Sequence, residues 1–174
     1  MSQHGDAPIF LIGYRGTGKT SVARELATLL NWDWIDVDDV IEREAGKTIA
    51  EIFAGDGEAV FRELEAYTVA GLSRERRMVV ALGGGAVMRE QNRDAITAAG
   101  PVVWLTAGVD TILERVAADP TTASRRPDLT TGGRAEIEAL LAARTPLYRE
   151  CARLVVDTEG KTPAQVAAEI VANL

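Results

Sequence analysis

Gly13-Tyr14-Arg15-Gly16-Thr17-Gly18-Lys19-Thr20 satisfies the spacing G-x-x-x-x-G-K-[ST] in full, and it lies between the apolar run Ile9-Phe10-Leu11-Ile12 and a segment with helical periodicity. The chain must therefore turn sharply from a strand into a helix. Glycines reach backbone geometries closed to other residues, so successive N–H groups can face inward and hold phosphate oxygens at a helix N-terminus, where the dipole already favours anions. Gly13, Arg15, Gly16, Thr17, Gly18, Lys19, Thr20 and Ser21 form the expected nucleotide-binding set. Lys19 is placed to reach the β- and γ-phosphates, and the Thr20 hydroxyl to ligate Mg²⁺. Four fixed positions in a strand-to-helix context outweigh an incidental glycine-rich turn, so the chain is expected to bind a nucleoside triphosphate.

A length of 174 residues, 47% of them hydrophobic, suits a single domain with one core. The formal charge of −7 speaks against a nucleic-acid partner, which calls for a basic stripe. Cys151 is the only cysteine, so no internal disulfide forms; a small buried apolar role fits it better than a reactive thiol. No charged leader with an apolar run and no membrane-length stretch is present, which gives the expectation of a cytoplasmic protein without a membrane partner. With no long exposed apolar stripe, a monomer is expected. His4 falls in a polar seven-residue leader expected to be disordered, and carries no role.

Val22, Leu26, Leu29 and Leu30 recur at helical spacing and predict a helix from about Lys19 to Leu30. Trp34-Ile35, Met78 to Leu82, Val102 to Leu105 and Leu154 to Val156 read as further strands. Alternation of strands and helices predicts an α/β fold, a five-stranded parallel sheet covered on both faces. The insertion of about 37–66 is helical, with a capping box at Thr48-Ile49-Ala50-Glu51, and predicts a small cap beside the phosphate loop. The stretch of about 117–133, rich in Thr, Gly and charge, cannot bury much surface and predicts a mobile lid. Thr162-Pro163-Ala164-Gln165 adds a second capping box with proline at the first helical position.

Three groups of residues bear on the chemistry. Asp36 and Asp38 sit at the end of a predicted strand; if the strand runs through both, they share a side, and their repulsion calls for Mg²⁺ or a polyhydroxy ligand. The alternative makes Asp38 the N-cap of the next helix. Gly83-Gly84-Gly85 follows the third strand, where three glycines make sense if the backbone must approach a ligand closely. Arg62, Arg126 and Arg144 are dispersed arginines whose forks match carboxylate or phosphate oxygens; each alone is more commonly a solvated surface residue.

With Asp36-x-Asp38, Ile52-Phe53, Gly57-Glu58, Phe61-Arg62, the triple glycine, Arg126-Pro127, Arg144-x-Pro146-Leu147-Tyr148 and Val156-Asp157-Thr158 added to the loop, the chain resembles the shikimate kinases from Ile9 to its last helix. The resemblance implies a P-loop, nucleoside-monophosphate-kinase-like fold, and ATP-dependent phosphorylation of the shikimate 3-hydroxyl in aromatic amino acid biosynthesis. It implies that Asp38 grips the ring hydroxyls, Arg62 and Arg144 hold the carboxylate, and Gly83, Gly84 and Gly85 line the same pocket. Phe53 and Phe61 look like an apolar wall for the ring, with ordinary core membership as the other reading. Asp36 resembles the carboxylate that supports Mg²⁺ beside Thr20; Arg115 and Pro163 match positions flanking the adenine. Arg126 matches the lid arginine, although Asp128 stands where leucine is frequent in the family, and Arg125 is the competing candidate. Lys19, Asp38 and Arg126 are the expected catalytic residues.

The implied reaction is direct in-line transfer, with catalysis through positioning and charge neutralisation. Two rivals stand beside it: a gluconate kinase-like enzyme acting on another small hydroxy acid, and a catalytically silent nucleotide-binding module.

Overall fold

The computed structural model describes residues 5–121 and 133–174. Five strands, β1 (Ile9–Ile12), β2 (Asp33–Asp36), β3 (Met78–Ala81), β4 (Val102–Thr106) and β5 (Leu154–Asp157), form one sheet in the order β2-β3-β1-β4-β5. Every neighbouring pair is parallel, with Ile9 beside Val79 and Phe10 beside Val102 in the central registers. Parallel pairing requires crossovers, and helices supply them. These are α1 (Lys19–Leu30), α2 (Val37–Ala45), α3 (Ile49–Gly55), α4 (Glu58–Leu72), α5 (Glu90–Ala99), α6 (Val109–Ala118), α7 (Gly133–Cys151) and α8 (Pro163–Asn173), with a 3₁₀ turn at Ala86–Met88.

Strand residues alternate between two cores, because successive side chains leave opposite faces of a sheet. Ile9, Leu11, Val79, Ala81, Val103 and Leu105 pack with Val22 and Leu26 of α1 and Val166 and Ile170 of α8. Phe10, Ile12, Val80, Leu82, Val102 and Trp104 pack on the other face with Ile41, Ile52, Phe61, Ile96 and Tyr148. A third, smaller cluster joins Tyr14 to Ile112 of α6 and Ile137 of α7.

Both expected capping boxes form, Thr48 with Glu51 and Thr162 with Gln165. Helix α1 spans the predicted residues and ends on Asn31 in the left-handed region. Helices α2, α3 and α4 occupy most of the interval between β2 and β3, as the helical pattern there predicts.

One expectation fails. The strand does not run through Asp36 and Asp38: β2 ends at Asp36, and Asp38 lies in the first turn of α2. The N-cap is Asp36 rather than Asp38, and its side chain accepts the Asp38 N–H at 2.9 Å. The carboxylates are therefore related by a helix cap and not by a strand pleat.

Candidate active site

All five strands are parallel, so their C-terminal ends share one rim, which is where open α/β sheets place ligands. The loop after β1 occupies the middle of that rim. Gly13 has φ 142°, and a Cβ there would lie 2.4 Å from the Leu105 carbonyl oxygen, so only glycine lets the loop cross β4 at this distance. Helix α1 begins at Gly18 with no side-chain cap and no acidic residue in its first turn, which leaves its N-terminus suited to an anion. Lys19 folds back over the loop and its Nζ donates to the carbonyls of Gly13 at 2.8 Å and Tyr14 at 3.0 Å. Thr17, expected among the nucleotide contacts, turns its hydroxyl into the protein; it is buried and donates to the Tyr14 carbonyl at 2.7 Å.

Asp36 joins this loop to the cap. One carboxylate oxygen accepts the Thr20 hydroxyl at 2.7 Å and the other caps α2. Thr20 and Asp36 thus form the hard-oxygen pair that Mg²⁺ prefers, and a magnesium ion held by one carboxylate, a hydroxyl, water and substrate phosphates needs no larger protein cage. No group of three or more His, Cys, Asp or Glu side chains is arranged for a metal among the described residues. The donor set fits the ion.

The side expected to take the acid draws on α4, the glycine run and α7. Arg62 extends from α4 and donates from Nη1 to Glu65 at 2.8 Å and from Nη2 to Glu58 at 3.5 Å. Glu65 is wholly buried, and its second oxygen has no hydrogen-bond partner among the described residues. A buried carboxylate is tolerable only when paired, so Glu65 fixes the Arg62 fork. The sequence reading missed Glu65, although an Arg and a Glu three apart on a helix is a legible pairing signal.

The triple glycine makes room for arginine. A Cβ on Gly85 would lie 2.7 Å from Arg62 Nη2, and one on Gly84 would lie 3.2 Å from Arg144 Nη1. None of the three has a positive φ, so at Gly84 and Gly85 it is close approach, and not backbone conformation, that opposes a side chain. Arg144 is 8% exposed, which overturns the surface reading of an isolated helical arginine. Its guanidinium lies 5.6 Å from the Tyr14 ring centroid, joining α7 to the phosphate loop.

Tyr148, one turn further along α7, donates its hydroxyl to the Gly84 carbonyl at 2.6 Å and stacks on Trp104. Burial pushes its phenol up to about 12, so it remains a donor across the neutral range. Phe61 is wholly buried and belongs to the core, while Phe53 is half-buried against it with ring centroids 4.9 Å apart. Only Phe53 of the expected apolar wall keeps an accessible edge.

Tyr14, Arg15, Gly16, Gly18, Lys19, Thr20, Ser21, Asp36, Asp38, Gly83, Gly84 and Arg144 line one cleft of about 230 Å³. Arg62 and Gly85 stand together beside it. Toward β5, Arg115 donates to the Gly16 carbonyl at 3.2 Å, the Thr158 hydroxyl at 3.0 Å and the Thr158 carbonyl at 3.3 Å. Pro163 occupies the first position of α8 and is exposed. The cleft extends to Asp119 and Thr121; Arg125, Arg126 and Asp128 lie outside the described residues.

Among the described residues, no helix is long and apolar enough to cross a membrane. A family model described as shikimate kinase matches residues 15–174. A shikimate kinase from Rhodopirellula baltica is 43% identical over 164 residues, covering 94% of this chain and 88% of the relative. The solved structure of shikimate kinase from Acinetobacter baumannii in complex with shikimate superposes with a TM-score of 0.89 at 36% identity, covering 95% of this chain and 90% of that one. A gluconokinase from Sinorhizobium meliloti 1021 shares the fold at a TM-score of 0.51 and 19% identity, covering 98% of this chain and 93% of that one. With the family model matching residues 15–174 and a relative 43% identical over 94% of its length, the chain belongs to the shikimate kinase family.

Proposed function

We propose that this enzyme transfers the γ-phosphoryl group of ATP to the 3-hydroxyl of shikimate, giving shikimate 3-phosphate and ADP. The observation that carries the reading is that one cleft holds both Lys19 and Thr20 of the phosphate loop and Asp38 and Arg144 of the acid side. Arg62 and Arg144 hold the carboxylate of shikimate, and Asp38 orients its hydroxyls. Phe53 presents the apolar edge to the ring, and the backbone at Gly83 to Gly85 closes the pocket beneath it.

The 3-hydroxyl oxygen attacks the γ-phosphorus in line with the departing ADP oxygen; as the new P–O bond forms, the old one breaks and the hydroxyl proton leaves toward Asp38. Catalysis comes from positioning and from offsetting charge. Lys19 and the backbone N–H groups at the start of α1 do this on the protein side. Thr20 and Asp36 would hold Mg²⁺, which when bound neutralises phosphate charge as a Lewis acid. Arg115 and Pro163 flank the adenine. Residues 37–66 act as the acceptor cap and 117–133 as the lid, with Arg126, or Arg125 beside it, brought over the phosphates on closure. Water is excluded at that point, and wasteful hydrolysis is suppressed.

The enzyme works in this reading as a cytoplasmic monomer on ATP and shikimate, without nucleic acid or membrane; the free, buried Cys151 agrees with a reducing compartment. Coupled ADP formation tests it directly. ADP release should depend on added shikimate, with little release on gluconate. Release that ignores both acids, or that prefers gluconate, rejects the assignment.

A further inference from the structure

Helix α6 begins at Gly108, which has no side chain with which to cap it. The cap comes instead from the turn after β5, 51 residues away in sequence. Glu159 accepts the Gly108 N–H at 2.6 Å through Oε1 and the Thr111 hydroxyl at 2.8 Å through Oε2. A carboxylate at this end of a helix satisfies donors that the helix leaves open and opposes the positive end of its dipole.

The same turn is held a second time. Arg115, further along α6, donates to both the hydroxyl and the carbonyl of Thr158, and to the Gly16 carbonyl of the phosphate loop. Thr158 is itself buried and anchored to the Thr106 carbonyl through its backbone N–H at 2.9 Å and its hydroxyl at 2.8 Å. Gly16 packs directly on α6: a Cβ there would lie 3.1 Å from Val116 and 3.3 Å from the Ile112 carbonyl. Helix α6 is therefore a strut between the phosphate loop and the 158–163 turn. Arg115 forms its pivot, and Glu159 fixes where the turn sits along its axis.

We propose that Glu159 is a positioning residue for the nucleotide base. It acts through α6 and the turn that carries Pro163, without touching the substrate. The proposal rests on the reading that Arg115 and Pro163 flank the adenine. Release of the clasp leaves the turn held at Thr158 by Arg115 and the Thr106 carbonyl, so residues 159–163 shift relative to α6 and the phosphate loop. Base binding weakens, while the acid pocket, built from α4, α7 and the glycine run, is untouched.

Steady-state kinetics on Glu159→Ala, Glu159→Gln, Thr111→Val and Arg115→Ala test this, with thermal unfolding measured on each. Glu159→Ala should raise the ATP KM by roughly five- to tenfold, within the range expected for the net loss of an ordinary hydrogen bond, with the shikimate KM unchanged. Glu159→Gln keeps an acceptor for Gly108 and a partner for Thr111, and should restore the ATP KM to within about twofold of wild type. Thr111→Val should give a smaller rise, and adding it to Glu159→Ala should cost nothing further. An unchanged ATP KM in Glu159→Ala, or equal rises for ATP and shikimate, overturns the proposal. If Arg115→Ala raises the ATP KM while Glu159→Ala does not, the clasp is refuted and the base site stands. If neither variant moves it, the base-site reading fails as well.

Discussion

At Gly85 the volume that a methyl group would need is already taken by the head of Arg62, whereas at Gly13 it is taken by backbone. The two glycines therefore predict opposite failures. In Gly85→Ala the Arg62 fork, at the end of a flexible side chain, should move aside and leave the fold intact; the shikimate KM should rise about tenfold, the cost of misplacing a bidentate partner, with the melting temperature nearly unchanged. Gly13→Ala combines a φ of 142° with a 2.4 Å approach to the Leu105 carbonyl, and should lose more than about 3 kcal/mol in urea unfolding. Tyr148→Phe leaves the Gly84 carbonyl without its donor and should cost about 1–3 kcal/mol. The sign of its pH dependence follows from burial, which raises the phenol from 10.0 to about 12 in the folded state. The folded protein then holds a proton that the unfolded chain has lost, so this contribution is complete below the ordinary value and disappears as pH climbs through the folded one. The difference in unfolding free energy between wild type and Tyr148→Phe should be flat from about pH 6 to 9 and shrink above about 10.

Among the elements, α3 is short and depends on its ends. Thr48 and Glu51 cap it reciprocally, with Thr48 N–H to Glu51 at 2.7 Å and Glu51 N–H to Thr48 at 3.2 Å. Thr48→Ala should cost about 1 kcal/mol, read as a drop of about 2–4 °C in melting temperature. Because α3 carries Ile52 and Phe53 into the cap, the shikimate KM should rise with it, and the ATP KM should not. This helix was legible in sequence because a capping box is a local signal. The strands were legible for a similar reason: a parallel strand buried on both faces is a short apolar run, and β1, β3 and β4 fall within a residue of where those runs lie. Asp36 and Asp38 were legible as site residues but not in their relation, since a strand end and a helix start differ by a backbone rotation that the residue types alone do not fix. The burial of Phe61 and Arg144 was not legible, because burial is decided by what other elements bring against a residue. Glu159 and Tyr148 act across 51 and 64 residues respectively, and no local pattern announces such a contact.

For the molecule as a whole, a net charge of −7 coexists with a site for two anions because the cations that matter converge on one rim of the sheet. Bound substrates should therefore act as separable staples. Shikimate or ADP at about 100 times its Kd should each contribute about 2.7 kcal/mol, raising the melting temperature by roughly 5–10 °C. Arg62→Ala should abolish the shikimate-induced rise and retain that of ADP; loss of both would show that the acid and nucleotide sites are not independent structures. Position within the sheet explains why they can be. Strand β2 is outermost, and the three helices that follow it return to β3 without passing between the central strands. The helical share of the proposed acceptor site is thus an appendage hung from one margin, open to being lengthened, trimmed or replaced in evolution, whereas the glycine run after β3 and Arg144 of α7 stay tied to the threading that also carries the triphosphate machinery.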